Sequence, residues 1–537
     1  MSSASIPYLA MFPSEIWLAC WTLCSARQLR RLSLVCHLFQ SLCLPLLFQT
    51  QSVDTTNLTR TRRDWIANIH RLHRAAVRLE RIADGPRVRM VRSWTFAANR
   101  NLVSMALSGY HSPDTNKGMA GTMCGRVITA FSSTLGRYQC LCSLNIQDFL
   151  IDKPFRDTLV SLPMLEEVTL GYCDIPARDG ALLDLRSFSM SNTRCRTKDL
   201  SEQSLELVSP GRLQSLKIDG LDDTIPLMIG FGGQRFPHLT QLSLDTIFDF
   251  SLFLRFLTQC PRLQILSAGH DGRTSLSSHV HPETIPLLRS IDAPLNLVRA
   301  LTPNRPVRDV IVQCGYSLSA EDFTLAVLDI SNASVPVRSL TLPSTYPTLE
   351  SLNTMSSLFP GLTSLSMEIR CEEGVFTYVN VCRDSRSSGR SLPPKYQTPE
   401  VDARLPDVCD AGAFDSLPPE EVSDTEEEQP TPAVHVALET HPKMPDSVRL
   451  HEVLRWICSG LVSLPAEIEI LRFPVRSNFS KSTELSVEHQ HQVIAALSRM
   501  YPSLRELEMG HHNNPHWERN GALWKRKGVN SYIQVDM

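Results

Sequence analysis

The sequence predicts an α/β protein: a short all-helical start, then an irregular solenoid of repeated strands joined by helices, interrupted late by an acidic insertion expected to be disordered. Three observations predict it. Residues Phe12 to Phe48 carry apolar side chains at helical spacing together with helix-start signals. A six-residue frame, L-x-x-L-x-L with conservative swaps, then recurs as far as Met509. Between Cys371 and Asp446 the frame stops and Pro, Ser, Asp and Glu dominate, a composition that buries too little apolar surface to order itself.

The first segment begins with Pro13, which suits a first helical position because its missing N–H costs nothing there, and with Glu15, which favours the positive end of a helix. Ile16, Cys20 and Leu23 follow at helical spacing. Ser25 and Gln28 form a capping box, so a second helix starts there. Leu29, Leu32, Val35, Cys36 and Phe39 fill one face of that helix, and Leu34, Leu38 and Leu42 a second. A helix apolar on two sides needs two partners, of which the rest of this chain is one and a different protein the other. From 60 to 84 a linking helix is expected, with Trp65, Ile66, Ile69, Leu72, Ala76, Leu79 and Ile82 inward and Arg63, Arg71, Arg74, Arg78 and Arg81 outward. Such a basic face is more often simply solvated than a docking surface.

The frame occurs at Leu141-Leu144-Ile146, Leu165-Val168-Leu170, Leu185-Phe188-Met190, Leu213-Leu216-Ile218, Leu239-Leu242-Leu244 and Leu263-Leu266-Ala268. It continues at Leu288-Ile291-Ala293, Val307-Val310-Val312, Val337-Leu340-Leu342, Leu362-Leu365-Met367, Ile468-Leu471-Phe473 and Leu504-Leu507-Met509. Val88 to Val91 reads as a degenerate first copy. A strand alternates faces, so the second and third apolar positions point inward together, and stacked copies form a parallel sheet. Pro163, Pro237, Pro261, Pro286, Pro360 and Pro502 precede copies, ending each connection and starting the extended segment. The clearest connecting helix runs from about Asp249 to Gln259, with Leu252, Phe253, Phe256 and Leu257 inward.

Phe12-Pro13-Ser14-Glu15-Ile16-Trp17, Leu29 to Phe39 and Pro45-Leu46-Leu47-Phe48 together resemble the F-box, in the variant common in mushroom-forming fungi. Phe12 stands where the family usually has Leu, Cys20-Trp21 where it has Ile-Phe, and His37 where a basic residue is usual. The repeated part resembles the leucine-rich repeats of F-box proteins, and the copy at Leu165 continues as that consensus does, with Cys173 and Ile175 closing the turn. The resemblance implies an F-box at 8–52; the frame and the composition put the repeats at 85–370 and 447–537 and the insertion at 371–446. The resemblance also implies a Skp-type linker protein as partner and, through it, a cullin ubiquitin ligase. Phe12, Pro13, Ile16, Leu29, Leu32, Val35, Cys36 and Phe39 would lie at or just behind the linker interface. The repeats would hold an unknown protein substrate on residues flanking the second apolar position, among them Lys217, Gln241, Ser243, Ser267, Asp292 and Thr341.

No catalytic constellation is legible, and neither a cofactor nor a metal is expected. Gly230-Phe231-Gly232-Gly233 lacks the Lys and hydroxyl of a phosphate loop. His489, His491, His511, His512 and His516 have no zinc-ligand spacing. A formal net charge of −3 and a flanking row of mostly small neutral residues argue against nucleic-acid binding. The 15 cysteines are odd in number and sit mostly in apolar patterns, which fits a reducing compartment, cytoplasm or nucleus. The segment from Ile6 to Ala26 lacks the basic flank of a secretory signal, and Pro13-Ser14-Glu15 interrupts it; no segment is expected to span a membrane. Ser423 and Thr425 precede acidic residues, a weak pattern for an acid-directed kinase, and the insertion is read more readily as a tolerated loop than as a regulatory strip. Two further readings stand beside the ligase adaptor: a leucine-rich scaffold without a ligase, and an enzyme on an unrecognised α/β fold.

Overall fold

The computed structural model describes residues 12–56, 65–98, 116–175, 180–192, 205–247, 249–270, 280–313, 318, 320–345, 347–370, 450–476, 485–510, 516–527 and 532–534. The chain divides into Met1–Cys371 with Val448–Met537 and, separately, Glu372–Ser447; every described residue belongs to the first unit. The expected disorder of 371–446, its Ser423 and Thr425, and His511 and His512 therefore lie outside the described residues.

The described unit is mixed α/β, built on one open seventeen-stranded sheet. Its strands are β1 Thr50–Asp54, β2 Ser93–Ala97, β3 Ser143–Gln147, β4 Glu167–Gly171, β5 Ser187–Ser191, β6 Ser215–Asp219, β7 Gln241–Ile247, β8 Ile265–His270 and β9 Ser290–Pro294. Then come β10 Asp309–Gln313, β11 Ser339–Thr345, β12 Ser364–Arg370, β13 Ile470–Arg476 and β14 Glu506–Gly510. These pair parallel in chain order, and β12 pairs directly with β13, so residues 371–449 are inserted between two adjacent strands. Every frame copy forms a strand, and the ladder aligns their second positions: Leu144 opposite Val168, then Phe188, Leu216, Leu242, Leu266, Ile291, Val310, Leu340, Leu365, Leu471 and Leu507. All are buried in one continuous core.

The turn into each strand is equally regular. The carbonyl of the residue before the strand accepts two successive N–H groups of the next chain segment. Arg289 O takes Arg308 N–H (2.8 Å) and Asp309 N–H (3.1 Å), and the same pair of bonds recurs from Arg92 O to Glu469 O. The expected prolines each sit two residues before a frame copy, in β-turns closed by bonds such as Leu263 N–H to Cys260 O (3.2 Å) and Leu504 N–H to Tyr501 O (3.0 Å), where a fixed φ suits position i+1. The connecting helix at Asp249 is present as Phe250–Leu257; Asp249 Oδ1 accepts Leu252 N–H (2.9 Å), and Phe253, Phe256 and Leu257 are buried while Leu252 is partly so.

Four expectations are corrected. Val88–Val91 is not a strand: Pro86–Met90 forms a 3₁₀ turn, and the copy is Val91-Trp94-Phe96 on β2, hidden in the sequence by its aromatics. The sheet starts earlier still, at β1, so the boundary at 52 falls inside a strand. There Gln51 takes an inward position, 2% exposed, its amide donating to Phe48 O (3.1 Å) and its carbonyl accepting from Arg78 Nη2 (2.7 Å), which satisfies a polar group where the frame wants Leu. The linking helix, Trp65–Asp84, lies against the helix Asn116–Leu135 and places Leu72, Ala76, Leu79 and Ile82 in the sheet's own core, while Ile66 stays exposed. Finally, the repeats do not run to the end: β15 His516–Asn520, β16 Leu523–Arg526 and β17 Tyr532–Gln534 add antiparallel to β14. Buried Trp517 and Trp524 seal that end, with Trp524 Nε1 donating to Ser498 Oγ (2.9 Å).

Two positions give direct tests. A Cβ on Gly269 would stand 1.7 Å from Asp245 O, against backbone with no freedom to move, so Gly269→Ala destabilises the fold by about 3 kcal/mol in urea unfolding. Tyr172, just after β4, holds φ of 52°, which costs an aromatic residue more than it costs Asn. Tyr172→Asn therefore raises stability by about 0.5 kcal/mol in the same assay.

Candidate functional site

The N-terminal segment forms three helices, α1 Ser14–Trp21, α2 Ala26–Leu32 and α3 His37–Gln49. The Ser25–Gln28 capping box is present: Ser25 Oγ accepts Gln28 N–H, and Gln28 Oε1 accepts Ser25 N–H (2.8 Å). The expected two-faced helix is instead two helices. Ser33 caps α2, donating its hydroxyl to Arg30 O (2.8 Å), and Cys36 turns extended to cap α3, its sulfur accepting Phe39 N–H (3.4 Å). The apolar spacing runs across that break, so periodicity alone did not reveal it. Trp21, Leu29 and Cys43 form a small core ringed by Trp17, Cys24, Leu32, Phe39, Leu42, Leu46 and Leu47. Rings of Trp17, Trp21 and Phe39 pack with centroids 4.7–5.7 Å apart.

This small core leaves several large apolar side chains outside it. Leu34 is 86% exposed, Val35 66%, Phe12 54%, Ile16 49% and Leu38 42%. Of the residues the sequence assigns to a partner, Phe12, Pro13, Ile16 and Val35 are on the surface, and Leu32, Cys36 and Phe39 are partly covered. Leu29 is buried among the helices themselves, behind any interface. Leu23, outside the residues the sequence assigns to a partner, is 89% exposed. The cluster is fixed to the sheet through α3: Arg92 N–H bonds Gln49 O (2.8 Å) and the Arg87 guanidinium lies 4.7 Å from the Phe48 ring centre.

The ladder brings five of the six sequence-assigned sheet residues into one outward row: Lys217, Ser243, Ser267 and Asp292 stand in register on β6–β9, and Thr341 follows beyond Ile311. Gln241 lies in the neighbouring row. Lys217 pairs with Asp219 (3.0 Å), and Asp292 accepts from Ser267 Oγ (3.3 Å) and Gln313 Nε2 (2.8 Å). Ile265 (42% exposed) and Ile311 (39%) put apolar surface on this otherwise polar face.

The groups that carry chemistry elsewhere are occupied structurally here. Gly230 lies in the helix Leu221–Phe231, where a Cβ would meet Leu205 O at 2.3 Å, so that glycine serves close packing. His516 lies 3.5 Å from Glu506 and 3.3 Å from Glu518, and His489 belongs to a helix N-terminus capped by Ser486. Among the described residues, no group of three His, Cys, Asp or Glu side chains is placed to hold a metal, and no helix is long and apolar enough to cross a membrane. A cavity of about 220 Å³ between β1 and the helix Trp65–Asp84 is lined by Ser52, Asp54, Arg71 and Arg78 among others, with no His or Cys. Two arginines are buried as structural donors. Arg156 gives Nε to Ala181 O (3.0 Å) and Nη2 to Gly180 O (3.3 Å). Arg305 gives Nη1 to Leu301 O (2.9 Å) and Nη2 to His281 O (2.7 Å), and burial pulls its pKa down to about 10.

The chain matches no protein-family profile and no curated protein.

The buried thiols make a pH prediction. Burial pushes Cys124 and Cys173 up from 9.0 to about 12, because the interior disfavours thiolate. A folded pKa above the unfolded one contributes stability that is complete below pH 9 and fades as pH climbs toward 12. Each of these thiols thus costs about 1.4 kcal/mol per pH unit across that window. Cys124→Ala flattens the alkaline limb of a stability–pH curve measured by urea unfolding.

Proposed function

We propose that α1–α3 are an F-box, that the parallel sheet with its connecting helices is an irregular leucine-rich-repeat solenoid, and that the protein is a substrate-recognition adaptor of a Skp–cullin–F-box ubiquitin ligase. The observation that carries this reading is the apolar surface of Phe12, Ile16, Leu34, Val35 and Leu38, left open by a helical cluster that is itself fixed to the sheet. Fully burying such a side chain is worth roughly 1.5–3 kcal/mol, so covering the exposed part of five supports a stable complex even after association costs. In this reading a Skp-type linker covers that surface and bridges to a cullin, and the outward sheet face meets a protein substrate. The chain transfers nothing itself; it raises the effective concentration of substrate beside the ligase. The compartment is cytoplasm or nucleus, where the thiols stay reduced.

The choice of variant matters. Leu32 is partly buried in the helical core, so a charge there damages the cluster as well as the surface. Val35 and Ile16 belong to the surface. Co-expressed with a Skp-type linker from its own organism, the full chain is expected to co-elute with it on size exclusion. Ile16→Asp with Val35→Asp is expected to abolish co-elution while leaving the melting temperature of the sheet unchanged. A folded full chain that ignores the linker would leave a repeat scaffold working without a ligase, its N-terminal helices a cap.

A further inference from the structure

The residue just before each strand forms a rim along one end of the sheet, and its side chains meet across neighbouring strands. Where that position carries opposite charges they pair: Arg186 with Glu166 (3.3 Å), and Arg505 with Glu469. At β9, β10 and β11 the same position holds Arg289, Arg308 and Arg338 in succession. Arg308 N–H bonds Arg289 O and Arg338 N–H bonds Arg308 O, both at 2.8 Å, so the three are adjacent rungs of one ladder. All three are exposed, and among the described residues none of their guanidiniums has an ion pair or a hydrogen bond. Like charges opposite one another on neighbouring strands are unfavourable. Buried Arg305, three residues before Arg308, is occupied elsewhere, its guanidinium donating to Leu301 O and His281 O. The one carboxylate in the adjoining outward row of these strands, Asp309, lies beside Ser290 and Ser339 and pairs with none of them.

We propose that this arginine rim binds an acidic stretch of a partner protein, with two or three Asp or Glu side chains spanning the three rungs. Guanidiniums present forked donors that match carboxylates, and rungs about 4.8 Å apart fit the side chains of closely spaced residues on an extended segment. The strip ends at Gln264 on one side and Thr363 on the other. That is too short for the phosphate track a nucleic acid needs. Calling the partner a substrate rests on the adaptor reading; the site itself does not.

The test uses the full chain and fluorescein-labelled octaglutamate, read by anisotropy at about 50 mM salt, where screening is weak. Saturable binding that weakens as salt rises is expected. The triple variant Arg289→Gln, Arg308→Gln, Arg338→Gln should bind at least about tenfold more weakly. Its melting temperature should be unchanged or higher, since repulsion is removed. Arg186→Gln, which removes a paired arginine from the same rim position, should bind like the parent. The proposal is overturned by absence of saturable binding, by a triple variant that binds normally or loses binding together with melting temperature, by an equal loss in Arg186→Gln, or by tighter binding of octathymidylate than of octaglutamate. Linker co-elution on the same samples reports the adaptor reading separately, so either idea can fail while the other stands.

Discussion

The sheet depends on one repeated interaction: a rim carbonyl that accepts two successive N–H groups from the segment entering the next strand. This pair of hydrogen bonds sets where each strand begins relative to its neighbour. Once the start is fixed, the side-chain period of two decides which residues face inward, and a slip of one residue would turn every Leu of the frame to solvent. Connections of very different length are tolerated because they meet only this condition. The bond from Glu469 N–H to Thr363 O (2.7 Å) restores the pattern after more than a hundred residues of intervening chain.

The same constraint organises the surfaces. Because register is held at the start of each strand from β1 to β14, outward residues fall into rows, and adjacent rows let Ser267 and Gln313 converge on Asp292 across three strands. It also aligns the rim, where charge is paired in some places and stacked without counter-charge in others. The N-terminal helices use a different principle. Their interior is only Trp21, Leu29 and Cys43 with a partly covered ring, and α3 runs straight into β1, so the cluster is held by attachment to the sheet as much as by its own core.

The strands were legible because their frame is apolar and alternates. Copies with at least one Leu, Ile, Val or Met at the inward positions and no polar residue there were visible. Those built from Trp94 and Phe96, or from Gln51 and Val53, were not, because burial of Gln51 depends on Arg78 from a helix far along the chain. The break between α2 and α3 was hidden for a related reason: Leu34 and Leu38 keep helical spacing across a turn that Ser33 and Cys36 make through local hydrogen bonds. The antiparallel end at β15–β17 has no repeat signal, and its Trp517 and Trp524 make sense only once β14 and Ser498 are placed beside them. The candidate partner surface was legible as a set of residue types at helical spacing. Which of them face out, with Leu29 inside and Leu34 outside, required the packing.

The proposed function rests on a Skp-type linker docking on the open apolar surface of α1–α3. Amide hydrogen exchange on the full chain, with and without a saturating linker, tests it most directly. New protection is expected only in peptides covering 12–39, with β3–β14 unchanged. Protection that appears on the sheet instead, or nowhere, would contradict it.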